Sequence, residues 1–148
     1  MSSKIKFGVI GQGHIGKRHA EMVRRNPECE LIAVCDTLPR DKLGLTDLKE
    51  NFYSSHEELL KAHPDIEVVS ICTPNGLHAQ HAIACIDADK HVVCEKPMAL
   101  HKNECETLLY KSLQKHKQVF CVMQNRYSPP SVWLKEIVEK QIIGDVYM

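Results

Sequence analysis

Two groups of residues in this chain have the types and spacing for chemistry. The first is the glycine run Gly11-Gln12-Gly13-His14-Ile15-Gly16, directly after the apolar stretch Ile5–Ile10. It fits G-x-G-x-x-G. In that pattern the first glycine turns the chain sharply off a strand. The second leaves room for a pyrophosphate beside the backbone, and the third lets the next helix pack closely. The helix start adds free N–H groups and a partial positive charge. The second group is Glu95-Lys96-Pro97, after the short apolar stretch His91–Cys94. A lysine at a strand end can hydrogen-bond a substrate hydroxyl and, where desolvated, take up its proton as hydride leaves the carbon. Lys96 is therefore the candidate catalytic residue.

Other residues fit the same chemistry. Asp36 ends the apolar stretch Cys29–Asp36, twenty residues after Gly16. A carboxylate there accepts hydrogen bonds from an adenosine ribose and repels a 2′-phosphate, which favours NAD over NADP. Arg40 is close enough in sequence to meet such a phosphate, so NADP stays open as the second choice. Thr73-Pro74-Asn75 follows the apolar stretch Ile66–Cys72. In an open α/β sheet, ligands sit at the carboxyl ends of strands beside the switch point, so this turn should face the turn after Ile10. Thr73 and Asn75 can then hold ribose and phosphate, although a plain helix cap would use the same residues.

Rival chemistries fit less well. Gly11 to Lys17 also matches G-x-x-x-x-G-K, the phosphate loop of NTPases, but the next residue is Arg18 where a Ser or Thr should hold Mg²⁺. His78 and His81 are spaced to share a metal, yet no third ligand has metal-like spacing, and no metal is expected. The other histidines read as surface residues. The seven cysteines form no Cys-x-x-Cys. Cys35, Cys72, Cys94 and Cys121 sit in apolar runs and read as buried free thiols in a reducing cytosol.

These residues must be positioned by regular elements. The pattern predicts strands over 4–10, 29–36, 52–53, 66–72, 91–94 and 119–123. Helices are predicted over 14–26, 39–50, from Ser55 with a Ser55/Glu58 capping box, 75–87, 101–116 and 131–140. The expected apolar sides are Ile15, Met22 and Val23 on the first helix, Cys105, Leu108, Leu109 and Leu113 on the fifth, and Val132, Leu134, Ile137 and Val138 on the last. Strand and helix alternating with short connections indicate an α/β fold: a doubly wound parallel sheet of about six strands with helices on both faces. At 148 residues, 43% hydrophobic and 26% charged, the chain is one ordinary domain. Its net charge is zero and it has no Lys/Arg cluster, which argues against nucleic acid. It has no apolar run of membrane-spanning length and no leader before the first strand, so a cytoplasmic location is expected. Gly144 turns the chain into Val146-Tyr147-Met148, which reads as the opening of a further strand. The expected organisation is therefore one domain over 1–143, with 144–148 beginning a second domain.

Taken together, Gly11 to Gly16, Asp36, Cys72-Thr73-Pro74-Asn75-Gly76-Leu77-His78 and Cys94-Glu95-Lys96-Pro97-Met98 resemble the N-terminal domain of the Gfo/Idh/MocA oxidoreductases, over essentially the whole chain. The resemblance implies a Rossmann domain that binds NAD(P). It also implies a following α/β domain that lines a sugar site, mediates homo-oligomerisation and supplies further catalytic residues. The cofactor residues it implies are those of the glycine run with Asp36, Thr73, Pro74, Asn75, His78, Glu95, Lys96 and Gln124. Within the family, Met123-Gln124-Asn125-Arg126-Tyr127 and Gly144-Asp145-Val146-Tyr147-Met148 are similar to the WlbA-type branch. That branch oxidises the 3-hydroxyl of UDP-N-acetylglucosaminuronic acid. By this likeness Lys96 touches sugar and nicotinamide, Gln124 lies near the nicotinamide, and Asn125 and Arg126 face the substrate. An arginine suits a uronate or diphosphate because its fork matches anionic oxygens. The chain alone would bind dinucleotide and oxidise little or no sugar. The alternative from another class is a non-catalytic, dinucleotide-sensing domain with the same fold.

Overall fold

Apolar stretches four to seven residues long, rich in Val and Ile, form the centre of the molecule as parallel strands. The computed structural model describes residues 3–147. Six strands, β1 (Ile5–Ile10), β2 (Cys29–Cys35), β3 (Asn51–Tyr53), β4 (Val68–Ile71), β5 (His91–Cys94) and β6 (Val119–Cys121), make one sheet. Their order is β3-β2-β1-β4-β5-β6, and every pairing is parallel. The chain winds outward from β1 in one direction, then returns and winds outward in the other. This is the doubly wound Rossmann order, with its switch point between β1 and β4.

The crossovers cover both faces. Helix α1 (His14–Arg25) lies on one face, where Ala20 and Val23 pack with Val9, Leu31 and Val34. Helices α2 (His56–Ala62), α3 (His78–Asp87) and α4 (Lys102–Lys115) cover the other. There Leu59, Ala82, Ile86 and Leu108 pack against Ile71, Val69 and Val92. Ser55 caps α2 by accepting the Glu58 N–H at 3.2 Å. The reciprocal bond of the capping box is replaced, because the Glu58 carboxylate takes the Ser54 hydroxyl. The first turn of the helix expected over 75–87 is a 3₁₀ turn, Asn75–Leu77.

Several expectations fail. No helix forms over 39–50, which is a series of turns. Gly44 adopts φ +64°, which an α-helix does not allow. The Arg40 guanidinium donates to the Leu45 and Leu48 carbonyls at 3.4 and 3.0 Å, in competition with any helical ladder. The apolar side of α1 is Gly16, Ala20 and Val23, while Met22 is exposed. On α4 only Leu108 of the three predicted leucines is buried, and Leu109 and Leu113 face outward. The last helix, α5 (Pro129–Glu139), follows a 3₁₀ turn (Gln124–Tyr127) and buries none of its residues. Residues 145–147 carry no strand, and Met148 lies outside the described residues. No helix among the described residues is long and apolar enough to cross a membrane.

Candidate functional site

Because all six strands run parallel, their carboxyl ends line one edge of the sheet. Along that edge lie Asp36 after β2, the glycine run after β1, Thr73-Pro74 after β4, Glu95-Lys96 after β5 and the 124–127 turn after β6. From β2 to β5 is three strand spacings, about 14 Å.

The three glycines have different reasons to be glycine. Gly11 has φ +90°, and a Cβ there would lie 2.5 Å from the Cys72 carbonyl oxygen. It serves both the turn and the close meeting of the β1 and β4 ends, so the two turns do face each other. A Cβ on Gly16 would fall 1.8 Å from the Gly11 carbonyl oxygen, so the helix start packs on the loop itself. Gly13 is the exception: a Cβ there would meet nothing within 4 Å, and its backbone (φ −66°, ψ −167°) suits any residue. Nothing in the protein requires glycine at 13. The space it leaves lies at the start of α1, where no side chain caps the helix. That is the space a pyrophosphate needs.

Asp36 braces this loop. Its Oδ2 accepts the Gln12 N–H at 2.6 Å and its Oδ1 accepts the Leu38 N–H at 2.9 Å. Each oxygen keeps a further lone pair for a hydroxyl donor. The Gln12 side chain is buried, and its amide donates to the Gly11 carbonyl at 3.1 Å; with its N–H on Asp36 as well, Gln12 braces the loop from within. His14 is exposed and Ile15 half-buried at the helix start. Arg40 is tied to its own loop carbonyls and makes no ion pair with Asp36 among the described residues. Lys17 donates to the Leu43 carbonyl, away from the place of a phosphate-loop lysine.

Beside Asp36 opens a cavity of about 600 Å³. Gly11, Gly13, Asp36, Thr73 and Pro74 line it, together with residues the sequence did not assign to the cofactor site: Leu38, Ser54, Ser55, His56, Leu77 and His81. Ser54 to His56 follow β3 at the same sheet edge, so the strand-end rule applied to that short strand would have found them. His81, set aside as a metal ligand, shares a hydrogen bond with the Thr73 hydroxyl at 3.1 Å and packs against His56 with ring centroids 4.5 Å apart and planes tilted by 54°. Burial, then the neighbouring His56, pushes the His81 pKa down, against a smaller upward pull from Glu57. Asn75 is exposed at the start of the 3₁₀ turn.

A second hollow of about 440 Å³ gathers Lys96, Gln124, Asn125 and Arg126 with Pro97, Met98 and Met123. These residues are far apart in sequence and meet because β5 and β6 are neighbours. The Lys96 side chain is exposed, and among the described residues its ammonium has no partner. Glu95 is buried. Its Oε1 meets His19 Nε2 at 3.0 Å and its Oε2 accepts the Lys96 N–H at 3.3 Å.

His19 and His78 depart from the sequence reading. His19 is largely buried, not a surface residue. It follows Gly16 by three, on the inner side of α1, and that spacing was the available signal. His78 is 1% exposed, with Nδ1 2.7 Å from the Pro97 carbonyl oxygen and Nε2 2.7 Å from the Thr73 carbonyl oxygen. Both nitrogens are engaged inside the fold, so His78 braces the site from below and does not itself face a cofactor. The buried thiols are quiet: burial pushes Cys35, Cys72 and Cys94 each up to about 12. Cys121 is exposed, contrary to expectation, because β6 is an edge strand. No group of three metal-type side chains occurs among the described residues.

A sheet wound in this order, with a glycine loop over the switch point and a carboxylate after β2, defines an NAD-binding Rossmann domain. The family model described as "Oxidoreductase family, NAD-binding Rossmann fold" matches residues 5–124, and the chain belongs to that family, Gfo/Idh/MocA. Among solved structures, it is similar to the WlbA dehydrogenase of Chromobacterium violaceum in complex with NADH and UDP-GlcNAcA. The two share 31% identity and a TM-score of 0.90, over 100% of this chain and 43% of the other. The Bordetella pertussis WlbA dehydrogenase, with the same ligands, shares 31% identity and a TM-score of 0.88, over 98% of this chain and 45% of the other. A curated relative, myo-inositol 2-dehydrogenase of Thermotoga maritima, is 31% identical over 95% of this chain and 42% of its own length. The chain thus spans less than half the length of these relatives.

Proposed function

We propose that residues 1–143 are the cofactor domain of an NAD-dependent dehydrogenase that oxidises a hydroxyl of a sugar or sugar nucleotide. A uronate-bearing sugar nucleotide such as UDP-N-acetylglucosaminuronate, oxidised at its 3-hydroxyl, is the particular substrate proposed. The nicotinamide of bound NAD supplies the hydride acceptor. Gly13 and the first N–H groups of α1 hold the pyrophosphate, and Asp36 holds the adenosine ribose. Gln124 orients the nicotinamide end. Lys96 binds the reacting hydroxyl and, desolvated by bound cofactor and substrate and present as its neutral amine, takes up the hydroxyl proton. Asn125 and Arg126 hold the substrate, with Arg126 pairing with its anionic group. The observation that carries this reading is the meeting of Lys96, Gln124, Asn125 and Arg126 in one hollow on the edge that the glycine loop also occupies.

The proposal includes a second domain that begins at 144–148, completes the substrate site and forms the homo-oligomer. The relatives' greater length supports it, as does the exposure of Trp133, Leu134, Ile142 and Ile143 at the end of the described chain. The present chain should bind dinucleotide without oxidising sugar. The test uses Lys96→Ala in the protein joined to that second domain. Turnover should fall by about 10²-fold or more while NADH affinity stays within about threefold. Undiminished turnover would remove Lys96 from the reaction.

A further inference from the structure

We infer that His19 and His78 are positioning residues for Lys96, holding the Glu95–Pro97 turn from its two sides; the inference rests on the role proposed for Lys96. The Lys96 side chain is exposed and makes no bond to any described residue, so its place is set by the backbone that carries it. That backbone lies between the end of β5 at Cys94 and the start of α4 at Lys102, outside regular structure. Two side chains from helices on opposite faces of the sheet hold it there.

On one side stands Glu95. A buried carboxylate needs hydrogen-bond donors, and it has two: His19 from α1 at 3.0 Å and the Lys96 N–H at 3.3 Å. The carboxylate therefore links α1 to the backbone of Lys96 itself. On the other side, His78 from α3 reaches the Pro97 carbonyl, and its second nitrogen reaches the Thr73 carbonyl, both at 2.7 Å. Both partners are acceptors, so a neutral ring donates its one N–H to one carbonyl and packs against the other. His78 thereby fixes the spacing between the turn after β4 and the turn after β5. An aliphatic residue in place of His19 would leave a buried carboxylate oxygen without its donor. In place of His78 it would leave a buried carbonyl without its donor and remove the ring that spans the two turns. Neither histidine reaches the crevice, and both act through the turn.

The test is acylation of lysines in this chain by acetic anhydride, read residue by residue from peptide masses, with and without saturating NADH. In the wild type, NADH should slow labelling of Lys96 at least fivefold. His19→Gln should keep that protection, since its amide nitrogen can stand where Nε2 stood and donate to Glu95. His19→Leu and His78→Leu should lose it at saturating NADH. Full protection in both leucine variants would overturn the inference and leave the role of Lys96 intact. No protection in the wild type would remove that role and the inference with it. If a leucine variant does not fold, His19→Asn decides: one methylene shorter, it falls short of Glu95 and should lose the protection that His19→Gln keeps, and equal protection in the two would overturn the inference.

Discussion

At the scale of single residues, the glycine run separates what the fold requires from what a ligand requires. Gly16→Ala places a methyl 1.8 Å from the Gly11 carbonyl oxygen, so the loop must move. A chemical-denaturation curve should show a loss of about 2 kcal/mol or more. Gly13→Ala meets no protein atom within 4 Å. Its cost to stability should stay within about 1 kcal/mol, the helix-cap difference between Gly and Ala. Its NADH affinity should nevertheless fall at least about tenfold, some 1.4 kcal/mol, because the methyl occupies the space for the pyrophosphate. Equal stability losses at 13 and 16, with NADH binding unchanged at 13, would refute that division. The spacing of G-x-G-x-x-G revealed the site, but it could not show that Gly16 packs on Gly11, since that contact exists only once the loop is closed.

At the scale of elements, periodicity identified every strand and all five α-helices, and added one helix, over 39–50, that does not form. It could not show which apolar stripe finds something to pack against. Leu108 and Leu113 looked equivalent, yet one is fully buried and the other is 74% exposed. Leu108→Ala should cost about 2–5 kcal/mol in a urea melt, and Leu113→Ala less than about 0.5 kcal/mol. Similar losses would mean that α4 is rotated from its described setting. The missing helix over 39–50 failed for a different reason. Its end is decided by Gly44 and by the Arg40 side chain reaching carbonyls five and eight residues on, and a window of propensities does not register that. The burial of His19, Glu95 and His78 and their bracing of the turns were not legible, because a polar residue breaks the apolar pattern in the same way whether it is exposed or held between two turns.

At the scale of the whole molecule, stability and cofactor choice follow from the same crevice. Burial lowers the His81 pKa below its ordinary 6.5. As pH falls through about 6.5, the unfolded chain takes up a proton that the folded chain resists, so folding stability declines with acid. Thermal melts should show a falling midpoint from about pH 7 to pH 5.5, and His81→Gln should flatten the fall; identical profiles would remove His81 as a cause. The doubly wound parallel sheet, its switch point and the two turns meeting there were legible from strand ends and glycines; the strand order itself comes from the structure. The central claim is that this edge of the sheet binds NAD through the glycine loop and Asp36. Calorimetric titration of the chain with NADH, NADPH and ATP–Mg²⁺ tests it most directly. One saturable NADH site is predicted, with NADPH at least about tenfold weaker because Asp36 repels the 2′-phosphate, and no ATP–Mg²⁺ binding. Failure to bind NADH, or tighter binding of NADPH or ATP–Mg²⁺, would contradict the claim.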